Sequence, residues 1–387
     1  MRTRTLLLCV AAVLYAGQAR AIPAFARRYN LPCSQCHDPI PRLTAFGEMF
    51  ASRGFQLAEG DTTGAASLGD PLLLIQQNLP LALRFDAYVR AQGGASVRSD
   101  FQTPVAMKLL SGGPVTPNVT YYVYLLLAED GHTGPIEDAW VLFRRPMGVP
   151  ADFAIGQFQV ADPLWKRELR ITLENYAMLS QRLGSGAASL SYDRGVLASV
   201  EPVPGGSAAL MVVNGNGIGP AEAGDFDGDS PKAAAFTYTQ TIGPLRAGLI
   251  AYRGTQRLVP TGTTATVRNR TTMIGPALTL SAGAVEFNAQ WLWRRDTNPT
   301  FLSFGARTIE TSGGFVEALW WPGGRGGRTL VTALYNGIAS DLAGADYETA
   351  TLNLSWLYAR NLRLAGEFTW DMVAEEPRLA LGVVTAF

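Results

Sequence analysis

Histidine and cysteine are scarce in this sequence. The 387 residues include two histidines and three cysteines, so the side chains on which most metal-hydrolase and nucleophilic-triad sites depend are nearly absent. No apolar run reaches the ~20 residues that a transmembrane helix needs. The 32 basic and 32 acidic residues balance, which gives no reason to expect a nucleic-acid partner.

The first 21 residues have the form of a cleavable secretory signal. A positively charged start and an apolar run over Leu6–Leu14 precede an A-x-A cleavage site at Ala19-Arg20-Ala21. Cleavage there predicts a mature chain that begins at Ile22, with 29 basic against 32 acidic residues. Cys9 lies inside the apolar run and leaves with the signal, so two thiols and no disulfide remain.

Both remaining thiols belong to a C-x-x-C-H motif, Cys33 to His37. Two thiols at this spacing can each bond to one haem, and the adjacent histidine is placed to bind the iron from one face. The motif predicts one covalent haem c, held by Cys33 and Cys36 with His37 as axial ligand. We divide the mature chain into a monohaem c-type cytochrome segment, mainly helix and coil, over 22–75 and a second domain over 76–387.

A helix is predicted just after the motif, from Arg42 to Arg53. Pro41 suits its first turn and Gly54 suits the position after its end. The apolar residues Leu43, Phe46 and Phe50 lie on one face of this helix. Two interpretations stay open for this stripe: a lid on the haem face, or packing against a neighbouring wall.

The sixth position of the haem iron has three candidate occupants. Met49 is the nearest thioether, although helical geometry places it at the fringe of the apolar stripe. His132 is the only other histidine, and its place in a predicted loop favours a surface role. The third alternative is an open or water-bound position.

From Pro80 onward the sequence alternates with a period of two, which is typical of strands. Leu352, Leu354 and Trp356 alternate, for example, with Thr351, Asn353 and Ser355. A soluble sandwich would share this alternation. A transmembrane barrel is favoured because the strands are ten or so residues long, their polar partners are often charged, and aromatic side chains lie near the strand ends. These aromatic residues are Trp293, Trp320, Trp321, Tyr358 and Trp370.

We predict sixteen antiparallel strands that form a barrel over 76–387. They lie near 81–91, 102–111, 118–128, 136–145, 151–160, 189–200, 207–214, 232–241, 245–253, 271–281, 285–294, 313–321, 329–337, 349–359, 362–371 and 378–387. Short turns alternate with connections of equal or greater length, as in outer-membrane barrels. Sixteen strands leave an open lumen, in or at which the small haem segment would lie. The charged residues expected to face this lumen are Arg84, Asp86, Arg90, Glu286, Glu317, Arg363, Glu367 and Asp371.

One known group combines these features. The run Ile22-Pro23-Ala24-Phe25-Ala26-Arg27-Arg28-Tyr29, the haem motif, and the later pattern Pro41-Arg42-Leu43-x-x-Phe46-Gly47-x-x-Phe50-x-x-x-Gly54-Phe55 resemble the fused monohaem cytochrome–porins of bacterial outer membranes. That group includes outer-membrane iron oxidases. The resemblance implies covalent and axial haem roles for Cys33, Cys36 and His37. It also implies electron transfer between an extracellular donor and a periplasmic cytochrome or other carrier.

Two loops carry weaker signals. Asp225, Asp227 and Asp229 alternate as in a calcium loop, but the glycine and the final acid of that motif are missing, which favours a solvated loop. The longest connection, 161–188, carries Lys166, Arg167 and Arg170. It is expected either to enter the lumen, with these cations facing a haem propionate, or to stay exposed.

Three functional hypotheses follow from the sequence. The first is an outer-membrane electron conduit, which includes extracellular iron(II) oxidation if the donor is ferrous iron. The second is a diffusion porin for small solutes, among them anions, with the haem segment as a plug. The third is a soluble periplasmic haem protein. The first two place the exported chain in the lipid bilayer of the bacterial outer membrane.

Overall fold

Sixteen antiparallel strands close into one barrel. The structure is a computed structural model that describes residues 24–77, 80–94, 98–161, 169–221, 224–229, 231–260 and 264–387. The barrel closes because the last strand pairs with the first, with Arg378 opposite Gln92. The predicted fold class and strand number are confirmed. No described helix is both long and apolar enough to cross a bilayer, and the predicted signal peptide lies outside the described residues.

The strands follow one another around the barrel in chain order. They are β1 Leu81–Gln92, β2 Arg98–Thr116, β3 Val119–Glu129, β4 Ile136–Phe143, β5 Asp152–Gln159, β6 Tyr192–Val200, β7 Gly206–Val213, β8 Ala233–Ile242, β9 Leu245–Leu258, β10 Val267–Ala282, β11 Val285–Asp296, β12 Ile309–Trp320, β13 Thr329–Ser340, β14 Tyr347–Ala359, β15 Leu362–Asp371 and β16 Glu376–Ala386.

The two ends of the barrel differ in their connections. One end, here the turn end, carries the start of β1, the end of β16 and short turns such as 243–244, 283–284 and 360–361. The opposite end, here the loop end, carries the long connections 160–191 and 214–232. Short turns on the side of both chain ends and longer loops opposite are the pattern of outer-membrane barrels, in which the loop end faces outward.

Alternate side chains of each strand point outward and inward. On β14, Leu354 is 55% exposed and Asn353 is 0% exposed, so the predicted phase of this strand is confirmed. The outer surface is a band of exposed apolar residues, as a barrel in contact with lipid requires. Exposed aromatic residues mark both edges of this band, Trp293 and Trp370 toward the loop end and Trp320 and Tyr358 toward the turn end.

Trp321 departs from the prediction that grouped it with these outer aromatic residues. It is 1% exposed and belongs to a buried cluster with Ile171 and Leu319. The guanidinium of Arg325 lies 4.3 Å from the centre of its ring. Trp321 directly follows the end of β12, where the strand alternation no longer predicts the side-chain direction.

Residues 24–77, here the plug segment, contain three short helices: α1 Ala24–Tyr29, α2 Cys33–Cys36 and α3 Ala45–Ser52. Helix α3 begins three residues later than predicted, because Thr44 is its N-cap and accepts a hydrogen bond from the Gly47 N–H at 3.1 Å. Gly54 follows the helix end with φ of 64°, the left-handed conformation expected for a glycine there.

Candidate haem-binding site

The two thiols of the motif lie one helical turn apart. Cys33 and Cys36 are the first and last residues of α2, and both are free and partly exposed. The backbone N–H of His37 donates to the Cys33 carbonyl at 2.9 Å, so the imidazole projects directly from the end of this turn. The structure therefore brings all three predicted haem-binding residues together.

Backbone carbonyls determine which nitrogen of His37 is available to a metal. Nδ1 lies 3.1 Å from the carbonyl oxygen of Pro41 and 3.3 Å from that of Arg42. A carbonyl can only accept, so Nδ1 carries the proton and Nε2 keeps its lone pair. Burial lowers the pKa of His37, which favours the neutral imidazole that binds iron. Pro41 thus orients the imidazole instead of starting the helix.

The Cys36 thiol is poorly suited to disulfide exchange. Burial, with a smaller contribution from neighbouring Cys33, raises the pKa of Cys36 to about 11. Redox-active C-x-x-C motifs depend on a lowered thiol pKa, because the thiolate is the nucleophile. Two free thiols, of which Cys36 has a raised pKa, beside an imidazole with an available Nε2 fit covalent haem attachment better than dithiol chemistry.

Gly47 allows α3 to pack directly against the motif. A Cβ at this position would lie 2.3 Å from the Cys36 carbonyl oxygen and 3.1 Å from a methyl carbon of Leu43. Any side chain at position 47 would push α3 away from α2. This close approach places the aromatic face of α3 beside Cys36.

An aromatic cluster connects the motif to the barrel wall. Phe50 packs edge-on against Phe25, and Phe25 stacks on Phe55 with 4.3 Å between ring centres. Phe55 contacts Tyr122 of β3 at 4.9 Å, and Tyr122 contacts Trp140 of β4. Aromatic pairs at such distances add stability beyond the area they bury. Phe50 thus shares a buried cluster with Tyr122 and Tyr124 of the wall, and a lid on the haem face stays a prediction for the stripe.

Ion pairs anchor the opposite side of the plug segment. The buried carboxylate of Glu286 on β11 is shared by Arg42 of the plug segment and Arg325 of the 321–328 turn. Arg246 pairs with Glu48 at 2.9 Å. These wall and turn residues all lie near the turn end, so the plug segment occupies the lumen at that end.

Replacing Glu286 with alanine is expected to release this side of the plug segment. The substitution leaves the mostly buried Arg42 guanidinium without its main partner, which costs about 3 kcal/mol. Trypsin should then cleave the folded barrel after Arg42 and Arg53 at least tenfold faster than in the native protein. Glu310→Ala is the control, since Glu310 forms a 3.9 Å surface pair with Arg295 that contributes ~1 kcal/mol or less. Equal cleavage rates for the two variants would contradict this anchoring role.

The two candidate distal ligands lie in different places. His132 is exposed in the loop-end turn after β3, about 35 Å of strand away from the turn end, and so cannot share an iron with His37. Met49 lies on α3, half-buried, and is not part of the aromatic cluster around Cys36. Met49 and an open or water-bound position stay as candidates for the sixth site.

A second segment also occupies the lumen. Residues 169–191, here the inner loop, belong to the longest connection and run inside the barrel beside β12 to β15. Tyr176 stacks on Phe315 at 4.1 Å, and its hydroxyl donates to the fully buried Glu317 at 3.0 Å. Glu317 Oε2 also lies 3.9 Å from Arg42 of the plug segment. The Glu317 carboxylate thus contacts both the plug segment and the inner loop.

Charged wall residues hold the inner loop through its backbone. The Glu367 carboxylate accepts from the N–H groups of Leu173 and Glu174 at 2.7 and 2.8 Å. Arg363 donates to the Ile171 carbonyl at 2.8 Å. Entry of this connection into the lumen, left open by the sequence, is therefore observed. Arg170 donates to carbonyls of its own loop, whereas Lys166 and Arg167 lie outside the described residues.

The Asp225, Asp227 and Asp229 group lies at the loop end, where Asp225 is exposed and the Asp227 side chain is 6% exposed. Asp227 pairs with Lys232, and Asp229 accepts from the Arg257 N–H at 2.6 Å. Among the described residues, no group of three or more His, Cys, Asp or Glu side chains is arranged to hold a metal ion.

Sequence reasoning predicted three haem-binding residues but missed how the plug segment is held. Glu286 and Glu317 were expected to face the lumen, yet nothing in the sequence links them to Arg42, more than 240 residues away. Tyr122 and Trp140 were also missed as contacts of the plug segment. The alternation of β3 and β4 directs both side chains into the lumen, and this pattern could have indicated the contacts.

Comparison with known proteins identifies the barrel. Searches against family models and curated proteins gave no match. Among solved structures, an anion-selective porin from Comamonas acidovorans matches with 13% identity over 79% of this chain and 98% of its own, at a TM-score of 0.57. The outer membrane channel DcaP of Acinetobacter baumannii matches with 12% identity over 79% of this chain and 96% of its own, at a TM-score of 0.55. A loop-deletion mutant of OmpT, an outer membrane protein of Vibrio cholerae, matches with 11% identity over 79% of this chain and 98% of its own, at a TM-score of 0.56. At these identities the likeness shows a porin-type fold and nothing finer.

Proposed function

We propose that this chain is an outer-membrane electron conduit of the fused cytochrome–porin kind. It would hold one covalent haem c in its lumen through Cys33, Cys36 and His37, between an extracellular donor and a periplasmic carrier. When bound, the haem supplies reversible one-electron chemistry. The observation that supports this proposal is that the C-x-x-C-H segment lies inside the barrel. A single haem can serve both sides of an apolar band ~25 Å tall only from within the lumen.

The residues around the motif have separable roles in this proposal. Cys33 and Cys36 tether the cofactor, and His37 presents Nε2 to the iron because the Pro41 carbonyl holds Nδ1. The aromatic cluster limits the access of water to the motif. Arg42 and Glu286 keep the plug segment in register with the wall, which maintains a constant distance between the motif and the turn end.

Filling of the lumen favours electron transfer over bulk diffusion. Inward polar side chains on β11 to β14 have no exposed surface, because the plug segment and the inner loop cover them; these side chains are Asn288, Glu317, Thr332, Asn336, Thr349 and Asn353. An open water-filled pore would leave such side chains hydrated. Electrons cross a filled lumen, whereas hydrated solutes need a continuous aqueous path.

The resemblance to iron oxidases points to ferrous iron as the donor substrate. In that case the protein would act as an extracellular iron(II) oxidase, with electrons delivered to a periplasmic cytochrome. The motif that carries the resemblance specifies the haem and not the donor, so this identity rests on the resemblance alone.

Diffusion of small solutes is the second candidate function. An anion-selective porin and an outer membrane channel among the solved structures share the barrel fold. A cavity of about 710 Å³ also lies at the loop end between the inner loop and β13 and β14, and its polar lining includes Glu174, Asn175, Gln181, Arg182 and Asp346. This cavity would serve as the outer vestibule of a permeation path.

Reduction of the haem in intact cells distinguishes the two functions. A reductant tethered to a polymer too large for any sixteen-strand pore should reduce the haem, as followed by its visible absorption. His37→Ala should abolish this signal, whereas the matched control His132→Ala should preserve it, because His132 lies at the far end of the barrel wall. Flux of small sugars and anions into proteoliposomes should be low for all three proteins.

The opposite pattern would establish the porin function instead. If the tethered reductant never reduces the haem while small solutes pass rapidly, the conduit proposal is wrong. A His37→Ala variant that retains haem reduction would also contradict it.

A further inference from the structure

A basic patch lies on the outer surface of the barrel at the loop end. Five arginines on three neighbouring strands, β9, β10 and β11, have outward positions, and four of them are exposed. The group, here the arginine belt, is Arg253, Arg257, Arg268, Arg270 and Arg295. Neither the resemblance nor the proposed electron transfer assigns a role to this surface.

Strand register brings these like charges together. Arg257 lies directly opposite Arg268 in the β9–β10 ladder, and Arg270 is the next outward residue on the same strand. Like charges directly opposite in an antiparallel pair destabilise a sheet. The arginine belt therefore destabilises this part of the sheet. An anionic partner that neutralised the arginines would remove that destabilisation.

The described residues do not neutralise the belt. Among them, only Glu310 forms an ion pair with a belt residue, at 3.9 Å from the exposed Arg295. Asp229 binds the backbone N–H of Arg257 at 2.6 Å, not its guanidinium. The Nε of Arg257 is buried and has no hydrogen-bond partner. The guanidinium groups of the other belt residues are open to solvent.

The belt lies at the level of the lipid headgroups. The outward residues of β10 change from apolar Leu280, Leu278 and Ile274 to Thr272 and then to Arg270 and Arg268. Ile274 is paired with Trp293 of β11, one of the aromatic residues at the edge of the apolar band. Arg253 and Arg295 lie level with the next outward position beyond that edge, and Arg270 and Arg268 lie four and six residues beyond Ile274. Arginines at this height meet the polar part of the outer leaflet.

A cavity beside the belt suits a phosphate group. It has a volume of about 400 Å³ and is lined by Pro231, Thr255, Arg257, Arg268, Arg270 and Thr297. Three guanidinium forks and two hydroxyl-bearing side chains match the acceptor oxygens of a phosphate, which arginine binds with paired hydrogen bonds.

We propose that the arginine belt binds the phosphate groups of anionic lipids in the outer leaflet of the membrane. The lipid phosphate would sit between Arg257, Arg268 and Arg270, with its acyl chains along the apolar face of β9 and β10. Binding would neutralise the Arg257–Arg268 pair and stabilise this wall of the barrel. The inference requires the bilayer-spanning orientation of the barrel and is independent of haem attachment.

Binding of a diphosphorylated glucosamine-based lipid by the purified full-length protein in detergent tests this site. We expect saturable binding that raises the thermal unfolding temperature, and about 30-fold weaker binding for the double variant Arg268→Gln/Arg270→Gln. The control Arg328→Gln/Arg360→Gln removes the same charge at the turn end and should bind like the native protein. Without lipid, the belt variant should be at least as stable as the native barrel, since a repulsion has been removed.

Three outcomes would overturn the proposal. The dephosphorylated lipid could bind equally well, which would make the contact hydrophobic. Inorganic phosphate at millimolar concentration could bind the belt and displace the lipid fully, which would make the ligand a free anion. The belt variant could also bind the lipid as tightly as the native protein.

Discussion

Replacement of both Cys33 and Cys36 by serine is expected to remove all covalently bound haem from the protein. Thioether attachment needs these two thiols, and the predicted mature chain contains no other. After denaturing electrophoresis, the peroxidase stain of the variant band should fall to background. Ser34→Ala, which changes an exposed residue of the same helix, is the matched control and should stain like the native protein.

The same samples show whether the barrel still assembles. The variant should keep the heat-dependent gel mobility of a folded barrel, because the wall ladders do not involve α2. Persistent stain in the double variant would mean that haem is attached elsewhere. A native protein that never stains, although it is exported and folded, would remove the basis of the haem assignment.

Leu354→Arg is expected to prevent most of the protein from assembling in the membrane. Leu354 is outward and 55% exposed near the middle of β14, and an arginine at the bilayer midplane costs ~2–4 kcal/mol. The measurement is the folded fraction in the outer membrane, determined from heat-dependent gel mobility. We expect at least a tenfold loss relative to the native protein.

Two neighbouring substitutions make this prediction specific to lipid exposure. Leu354→Met keeps an apolar side chain and should assemble normally. Asn353→Ser shortens an inward residue that donates to Glu367 at 2.9 Å, and should cost far less than Leu354→Arg. Normal assembly of Leu354→Arg would mean that this face of β14 does not contact lipid.

The strand pattern of the sequence predicted most of the barrel. All sixteen strands were expected near their observed positions, and the lumenal phase of Glu286, Glu317, Arg363 and Glu367 was correct, because a period of two is a local property of each strand. The prediction was less accurate at strand ends. Trp321 turned inward there, since its side chain is directed by the turn and not by the ladder.

The candidate site was predicted in part. The C-x-x-C-H motif predicts haem binding by Cys33, Cys36 and His37, because haem attachment depends on a short sequence pattern, and the structure adds the hydrogen bonds that orient His37. The helix start at Ala45 was missed, because Pro41 predicted a start at Arg42, whereas Thr44 caps the helix three residues later. The contacts of Arg42 with Glu286 and Glu317 were not predictable, because they join residues far apart in the chain.

Local patterns in the sequence alone determined the strand number, the inward and outward faces of the wall, and the residues that would hold a haem. Only the tertiary structure decided that the plug segment and the inner loop fill the lumen side by side, and that five arginines meet on the outer rim. The physical reason is that strand alternation and motif spacing are set by neighbours in the chain. Lumen filling and charge clustering arise instead from ladder register and from contacts between distant segments, which form only when the barrel closes.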